Sequence, residues 1–288
     1  MEEDKNAFMG FNYDYQYSKA IIIQAPYEGT STYGQGQSLG PKAIIEASSQ
    51  VETYDIELKE DYIDRVGINT SEPLKIEKLK VEDAIDEVYK KTLSVFKDEK
   101  FPIILGGEHS ITLGPIKAAV EFFKDITILQ IDAHADMRNE YMNSRYNHAC
   151  VMARARELVE VVSVGIRSYS KEEAEVIEKE YSDCIFGSKI NKGINKRILE
   201  KLSKKIYLTI DIDGFDPSVM RATGTPEPDG LIWGETIELL KEVFLKKEVV
   251  GFDVVELAPF EDEYITDFNC AKLIYKLIGY KFLKKKQI

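Results

Sequence analysis

The stretch "ITILQIDAHAD", residues 126–136, runs six strand-like residues straight into three ionisable side chains at every second position: Asp132, His134 and Asp136. Its apolar part is continuous rather than alternating, as expected of a strand covered on both faces in a parallel sheet. The ionisable residues begin where that strand should end. In open parallel sheets ligands bind beyond the carboxyl ends of the strands. One stretch therefore points to a fold class and to the edge of the sheet where chemistry belongs.

Comparable runs recur at 20–24, 65–68, 102–105, 161–166, 183–186, 206–212 and 250–255. Between them lie helical patterns such as "KVEDAIDEVYKKTLSVFKDE", "NKRILEKLSKK" and "GETIELLKEVFLKK". This alternation predicts an α/β fold with a mainly parallel sheet of about eight strands and helices on both faces. No linker rich in Pro, Gly or Ser and no repeat interrupts it, so residues 1–288 are expected to form one domain. Two connections, 27–40 and 215–233, are longer than such folds need, and long ordered loops are often functional.

Composition narrows the partners. The net charge of −12 over 288 residues disfavours a nucleic-acid partner, which would need a basic face, and suits a small cationic substrate. Cys150, Cys184 and Cys270 are widely spaced and form no C-x-x-C pair, which fits a reducing cytoplasm rather than a disulfide framework. The first twenty residues are acidic and aromatic and do not read as a signal peptide. No apolar run approaches a membrane span of roughly 20 residues. The basic end "KFLKKKQI" reads as a solvated helix terminus.

Four predicted strands deliver polar groups to one edge. The run at 102–105 leads into "GGEHS" with His109, and 126–131 leads into "DAHAD". "IYLTI" leads into "DIDGFDPS" with Asp211, Asp213 and Asp216, and "VVGFDVV" leads to Glu256. The period of two is expected to put Asp132, His134 and Asp136 on one side, and Asp211 with Asp213 likewise. Asp216, before Pro217, reads as turn chemistry. Several carboxylates converging in a partly dry cleft repel one another unless a cation neutralises them. An oxygen-rich set with two imidazoles and no thiolate suits Mn²⁺ better than a structural Zn²⁺ site, and four Asp with two His suit two ions.

With these residues in view, the chain resembles the ureohydrolases, the binuclear manganese enzymes that include arginase and agmatinase. The resemblance runs through "IIIQAPYEGTSTYGQGQSLGPKAI", "GGEHS", "DAHAD", "NHA", "GIRS", "DIDGFDPS", "TGTPEPDG" and "VVELAP". It implies a three-layer α/β/α sandwich and a homo-oligomer, trimer or hexamer. It also implies two Mn²⁺ per subunit, one held by His109, Asp132, Asp136 and Asp211. The other would be held by Asp132, His134, Asp211 and Asp213, with Asp132 and Asp211 bridging. His148 resembles the family's proton-shuttling histidine, and Glu256 the acid that grips the substrate guanidinium. The implied reaction is attack on the guanidinium carbon by a hydroxide bridging the two manganese ions.

The resemblance also bears on the substrate. Arginases carry an acid directly after G-[IL]-R, where this chain has Ser168, and an Asn two residues after D-A-H-T-D, where it has Arg138. "GIRS" and "TGTPEP" are similar to agmatinase, so the expected reaction is agmatine to putrescine and urea, a step of polyamine synthesis. Aminopropylagmatine ureohydrolase, formimidoylglutamase and arginase activities stay open, with Arg138 as a basic group that could meet a substrate carboxylate. So do two other classes, a non-catalytic metal-binding member and a metal-dependent deacylase on a related fold.

Overall fold

The computed structural model describes residues 4–283; the basic C-terminal end from residue 284 and residues 1–3 lie outside the described residues. The strands are β1 (Ala20–Ala25), β2 (Tyr54–Asp55), β3 (Glu60–Asp61), β4 (Ile68–Thr70), β5 (Phe101–Gly106), β6 (Ile126–Ile131), β7 (Val161–Val164), β8 (Ile185–Phe186), β9 (Lys205–Asp211) and β10 (Glu248–Val255). Eight of them form one sheet in the order β4-β1-β5-β10-β9-β6-β7-β8, every pair parallel. β2 and β3 form a separate antiparallel hairpin. The helices are α1 (Gly40–Ser48), α2 (Ile63–Val66), α3 (Val81–Lys97), α4 (Leu113–Phe122), α5 (Val151–Arg156), α6 (Lys171–Val176), α7 (Lys192–Lys201), α8 (Trp233–Lys246) and α9 (Ile265–Phe282).

Alternate residues of each strand feed opposite cores, because successive Cβ atoms point to opposite faces. On one face, Ile22, Ile103, Leu105, Leu129, Leu208 and Phe252 meet apolar side chains from α1, α7, α8 and α9. On the other, Ile21, Ile23, Ile104 and Ile128 meet α3, α4 and α5. The result is the expected three-layer α/β/α sandwich. α9 is buried along most of its length, and its Tyr275 stacks on Tyr62 with ring centroids 4.4 Å apart. No described helix is long and apolar enough to cross a membrane.

Two strand expectations shift. Residues 63–66 form a helical turn ended by Gly67 at φ 63°, so the strand predicted at 65–68 begins only at Ile68. The run at 183–186 shortens to Ile185–Phe186 at the sheet edge, where one neighbour alone holds it. The hairpin β2–β3 was not expected; two-residue strands carry too short a pattern to read. It matters to the site that β5, β10, β9 and β6 are consecutive in the sheet.

Candidate active site

The carboxyl ends of those four central strands carry the predicted groups. β5 leads to His109, β10 to Glu256, β9 ends at Asp211, and Asp132 directly follows β6. His109 Nδ1 lies 3.0 Å from Asp136 Oδ2, 3.2 Å from Asp132 Oδ2 and 3.4 Å from Asp211 Oδ2. His134 Nδ1 lies 2.8 Å from Asp213 Oδ2 and 3.9 Å from Asp132 Oδ1. Two ligand-competent clusters result, His109–Asp132–Asp211 and Asp132–His134–Asp213, sharing Asp132. Asp136 is within reach of His109 but belongs to neither compact cluster.

Strand periodicity is not what aligns Asp132, His134 and Asp136, contrary to expectation. The strand stops at Ile131; the His134 amide folds back on Asp132 Oδ1 at 2.6 Å, and Asp136 has φ 51°. Asp211 is the last strand residue, and Asp213 lies in a 3-10 turn whose amide returns to Asp211 Oδ1 at 2.9 Å. Two glycines permit this crowding around Asp132. A Cβ on Gly214 would come 2.7 Å from the Asp132 nitrogen, and one on Gly165, at φ 102°, 2.6 Å from its oxygen. Asp216 is turn chemistry as expected, accepting from Ser218 N at 3.0 Å and Gly230 N at 3.0 Å.

Burial makes the cluster electrostatically unstable by itself. Asp132 is fully buried, and burial, then the Asp136 and Asp213 charges, push its pKa up to about 7. Burial, Asp213, Asp132 and Glu256 push Asp211 well above the carboxylate range. Asp213 goes the other way: burial opposes ionisation, but His134 beside it holds it low. Burial alone would lower the two histidines, yet Asp132 and Asp136 raise His109, and Asp213 raises His134 to about 10. Four aspartates outnumber the two imidazoles even with both protonated, so the donor set fits bound dications.

His109 is held from behind. Its Nε2 lies 3.0 Å from Thr209 Oγ1, whose hydroxyl donates to Asp253 Oδ1 at 2.6 Å, while Tyr207 donates to Asp253 Oδ2 at 2.8 Å. Thr209 has one proton and gives it to Asp253, so it accepts from Nε2–H and leaves Nδ1 aimed at the carboxylates. This is the outer-shell arrangement that orients ligating histidines. Gln130 donates to Asp132 Oδ2 at 2.8 Å from the same sheet face. None of these was singled out in the sequence, although Thr209 and Asp253 interrupt apolar runs and so left a signal.

Glu256, half-buried and at φ 68°, accepts the His109 amide on Oε1 at 2.6 Å and turns its carboxylate into the cleft. Burial, then Glu108 and Asp213, raise its pKa to about 8. His148 lines the same cleft, of about 330 Å³, with Tyr33, Tyr141, Ser168 and Tyr169. Arg138 lines it too, but its guanidinium sits 5.0 Å over the Tyr141 ring and 3.9 Å from buried Glu173. Glu173 was missed; it closes a capping box with Ser170 and accepts the Met137 amide, and the S-x-x-E spacing of 170–173 carried that signal. Arg167 of "GIRS" donates to six carbonyls, those of Gly165, Asp213, Gly214, Phe215, Glu227 and Pro228, and so ties three loops together under the site.

Residues 18–279 match the model of the arginase family. The chain belongs to the arginase family. Among its arginase-family relatives, N(1)-aminopropylagmatine ureohydrolase of Synechocystis is 38% identical over 92% of this chain and 90% of that one. The agmatinase of Pyrococcus horikoshii is 34% identical over 90% of each. The crystal structure of agmatine ureohydrolase of Thermoplasma volcanium aligns with a TM-score of 0.84 at 33% identity, covering 99% of this chain and 96% of that one. The fold of this arginase-family chain therefore agrees with that relative along nearly its whole length.

Proposed function

We propose that the protein hydrolyses the guanidino group of an amine-tailed substrate, releasing urea. The observation that carries this reading is the convergence of buried His109, Asp132, Asp211 and Asp213 with partly buried His134 beside Glu256 in one cleft. In this reading His109, Asp132, Asp136 and Asp211 hold one Mn²⁺, and Asp132, His134, Asp211 and Asp213 the other. Bound there, the two cations would supply the charge that makes water nucleophilic near neutral pH.

The remaining work falls to the chain. Glu256 meets the planar guanidinium through Oε2 and the unused lone pair of Oε1, which turns the guanidinium carbon towards the carboxylate cluster. Holding that carbon in one orientation removes much of the entropic barrier to attack. His148, on the cleft wall, takes up a proton released by the attacking water or supplied by solvent and passes it to the departing amine.

For the tail, Ser168 and the pairing of Arg138 with Glu173 and Tyr141 favour a cationic tail over an amino-acid one. Among the relatives, the 38% identity to an aminopropylagmatine ureohydrolase favours the longer polyamine, with agmatine second. Urea release with added Mn²⁺ tests this. N1-aminopropylagmatine should give the highest kcat/KM, agmatine the next, and arginine at least about a hundredfold less than either, since an unpaired buried carboxylate costs about 3 kcal/mol. Comparable turnover of arginine, or formamide release from formimidoylglutamate, would overturn the assignment.

A further inference from the structure

We propose that Thr30 and Glu108 are positioning residues that lock His148 in one tautomer, with Nδ1 protonated and the Nε2 lone pair left for the cleft. The inference rests on the reading of His148 as proton carrier, and it assigns a task to the long loop at 27–40 and to the acid of "GGEHS".

The argument is one of proton counting. Glu108 is fully buried, and its carboxylate oxygens meet two backbone amides and three hydroxyls. Thr30 N reaches Oε2 at 2.7 Å, Ser31 N reaches Oε2 at 3.1 Å, and Thr30 Oγ1 reaches Oε1 at 2.8 Å. The Ser31 hydroxyl adds a contact at 3.3 Å, and the Ser110 hydroxyl another. Backbone amides cannot accept, so Oε2 is an acceptor; as a carboxylate Glu108 accepts on Oε1 as well, and the Thr30 hydroxyl gives it its single proton. Thr30 Oγ1 then has only lone pairs to offer.

Both lone pairs face His148. Its backbone N–H reaches Thr30 Oγ1 at 3.0 Å, and its ring Nδ1 lies 3.1 Å from the same oxygen. An unprotonated Nδ1 would set lone pair against lone pair at that distance, so Nδ1 must carry hydrogen. Neutral His148 then holds its basic lone pair on Nε2, which has no hydrogen-bond partner among the described residues, while the ring lines the cleft. Imidazole side chains in water favour the opposite tautomer, and the partner of one ring nitrogen decides the state of the other. The same hydroxyl orients both the backbone and the ring of residue 148, which restricts the ring as well as its proton.

The same hydrogen-bond arrangement recurs behind the cluster. Asp253 takes the proton of Thr209, which then accepts from His109 Nε2, as Glu108 takes that of Thr30. Thr209 thus keeps a hydrogen on His109 Nε2, as Thr30 keeps one on His148 Nδ1.

The test uses the chain's small histidine count of three. Long-range ¹H–¹⁵N spectra of the metal-free, ¹⁵N-histidine-labelled protein, at a pH where His148 is neutral, report each tautomer directly, and His148→Gln assigns the third ring. The wild type should show the Nδ1–H form for His148. Thr30→Val, nearly isosteric, should abolish that preference and lower kcat roughly ten- to a hundredfold with KM changed less than about twofold, within the range a proton-transfer group supplies. Thr30→Ser should restore both. An Nε2–H form in the wild type, or an unchanged tautomer in a folded Thr30→Val protein, would overturn the lock. If the lock is found but His148→Gln turns over at the wild-type rate, the proton-carrier reading fails and the positioning role in catalysis with it.

Discussion

Glu256 shows how much a single side chain can be asked to do. One of its oxygens accepts the His109 amide at 2.6 Å, and the carboxylate also faces the cleft. Glu256→Gln keeps the shape and keeps an acceptor for that amide, but it turns an NH₂ group towards a guanidinium that has only donors. Loss of a charge-assisted pair in a partly dry site should lower kcat/KM by roughly 10² to 10⁴, about 3–5 kcal/mol. Metal content and thermal midpoint should stay near wild type, because no proposed ligand has changed. If Glu256 serves only as a strap for the His109 turn, the result reverses: turnover stays normal and the midpoint drops. Measuring bound metal, midpoint and kinetics on one preparation separates the two.

Between elements, the clearest polar tie joins the hairpin region to the helices above it. Glu57, in the connection between β2 and β3, pairs with Lys241 of α8 at 2.6 Å and with Lys276 of α9 at 2.6 Å, and accepts from Tyr280 at 2.8 Å. Burial opposes ionisation of Glu57, but these partners outweigh it and hold the pKa at about 2. A folded pKa below the unfolded value means stability that is present above about pH 4.5 and is lost as pH falls towards about 2. Because Glu57 is about a third exposed, the gain is discounted for solvent screening to roughly 1–2 kcal/mol. Glu57→Gln should therefore be less stable than wild type by about that much at pH 7, and the gap should narrow steadily below pH 4.5. Urea unfolding at a series of pH values checks it; a gap constant down to pH 3 would show that the pair contributes little.

For the molecule as a whole, the buried acidic cluster sits where four central strands end, so its neutralisation bears on global stability. Ions that bind only the native state stabilise it by RT ln(1 + [L]/Kd), about 2.7 kcal/mol at a hundred times Kd. Removing metal should lower the thermal midpoint and abolish urea release, and Mn²⁺ should restore both. In Asp132→Ala the restored shift should be lost, since Asp132 belongs to both ligand clusters. Calorimetry with and without Mn²⁺ is the measurement; a midpoint indifferent to chelation would mean that the cluster tolerates its own charge.

Much of this was legible in the chain itself. Continuous apolar runs at intervals, each ending in ionisable residues, determine a parallel sheet and the edge at which chemistry gathers, because both depend on local periodicity. All nine residues singled out, His109, Asp132, His134, Asp136, Arg138, His148, Asp211, Asp213 and Glu256, line one cleft or stand directly behind it. Local pattern could not supply the order β5-β10-β9-β6, which puts β10 beside β5 although more than a hundred residues separate them. Nor could it reveal that backbone turns, rather than strand period, aim Asp132, His134 and Asp136, or that Arg138 is already paired with Glu173. The supporting residues Glu108, Thr30 and Arg167 carry no spacing of their own, and Thr209 and Asp253 show only as polar breaks in apolar runs. Their partners lie tens to more than a hundred residues away, and such hydrogen bonds exist only once the folded chain has brought both ends together.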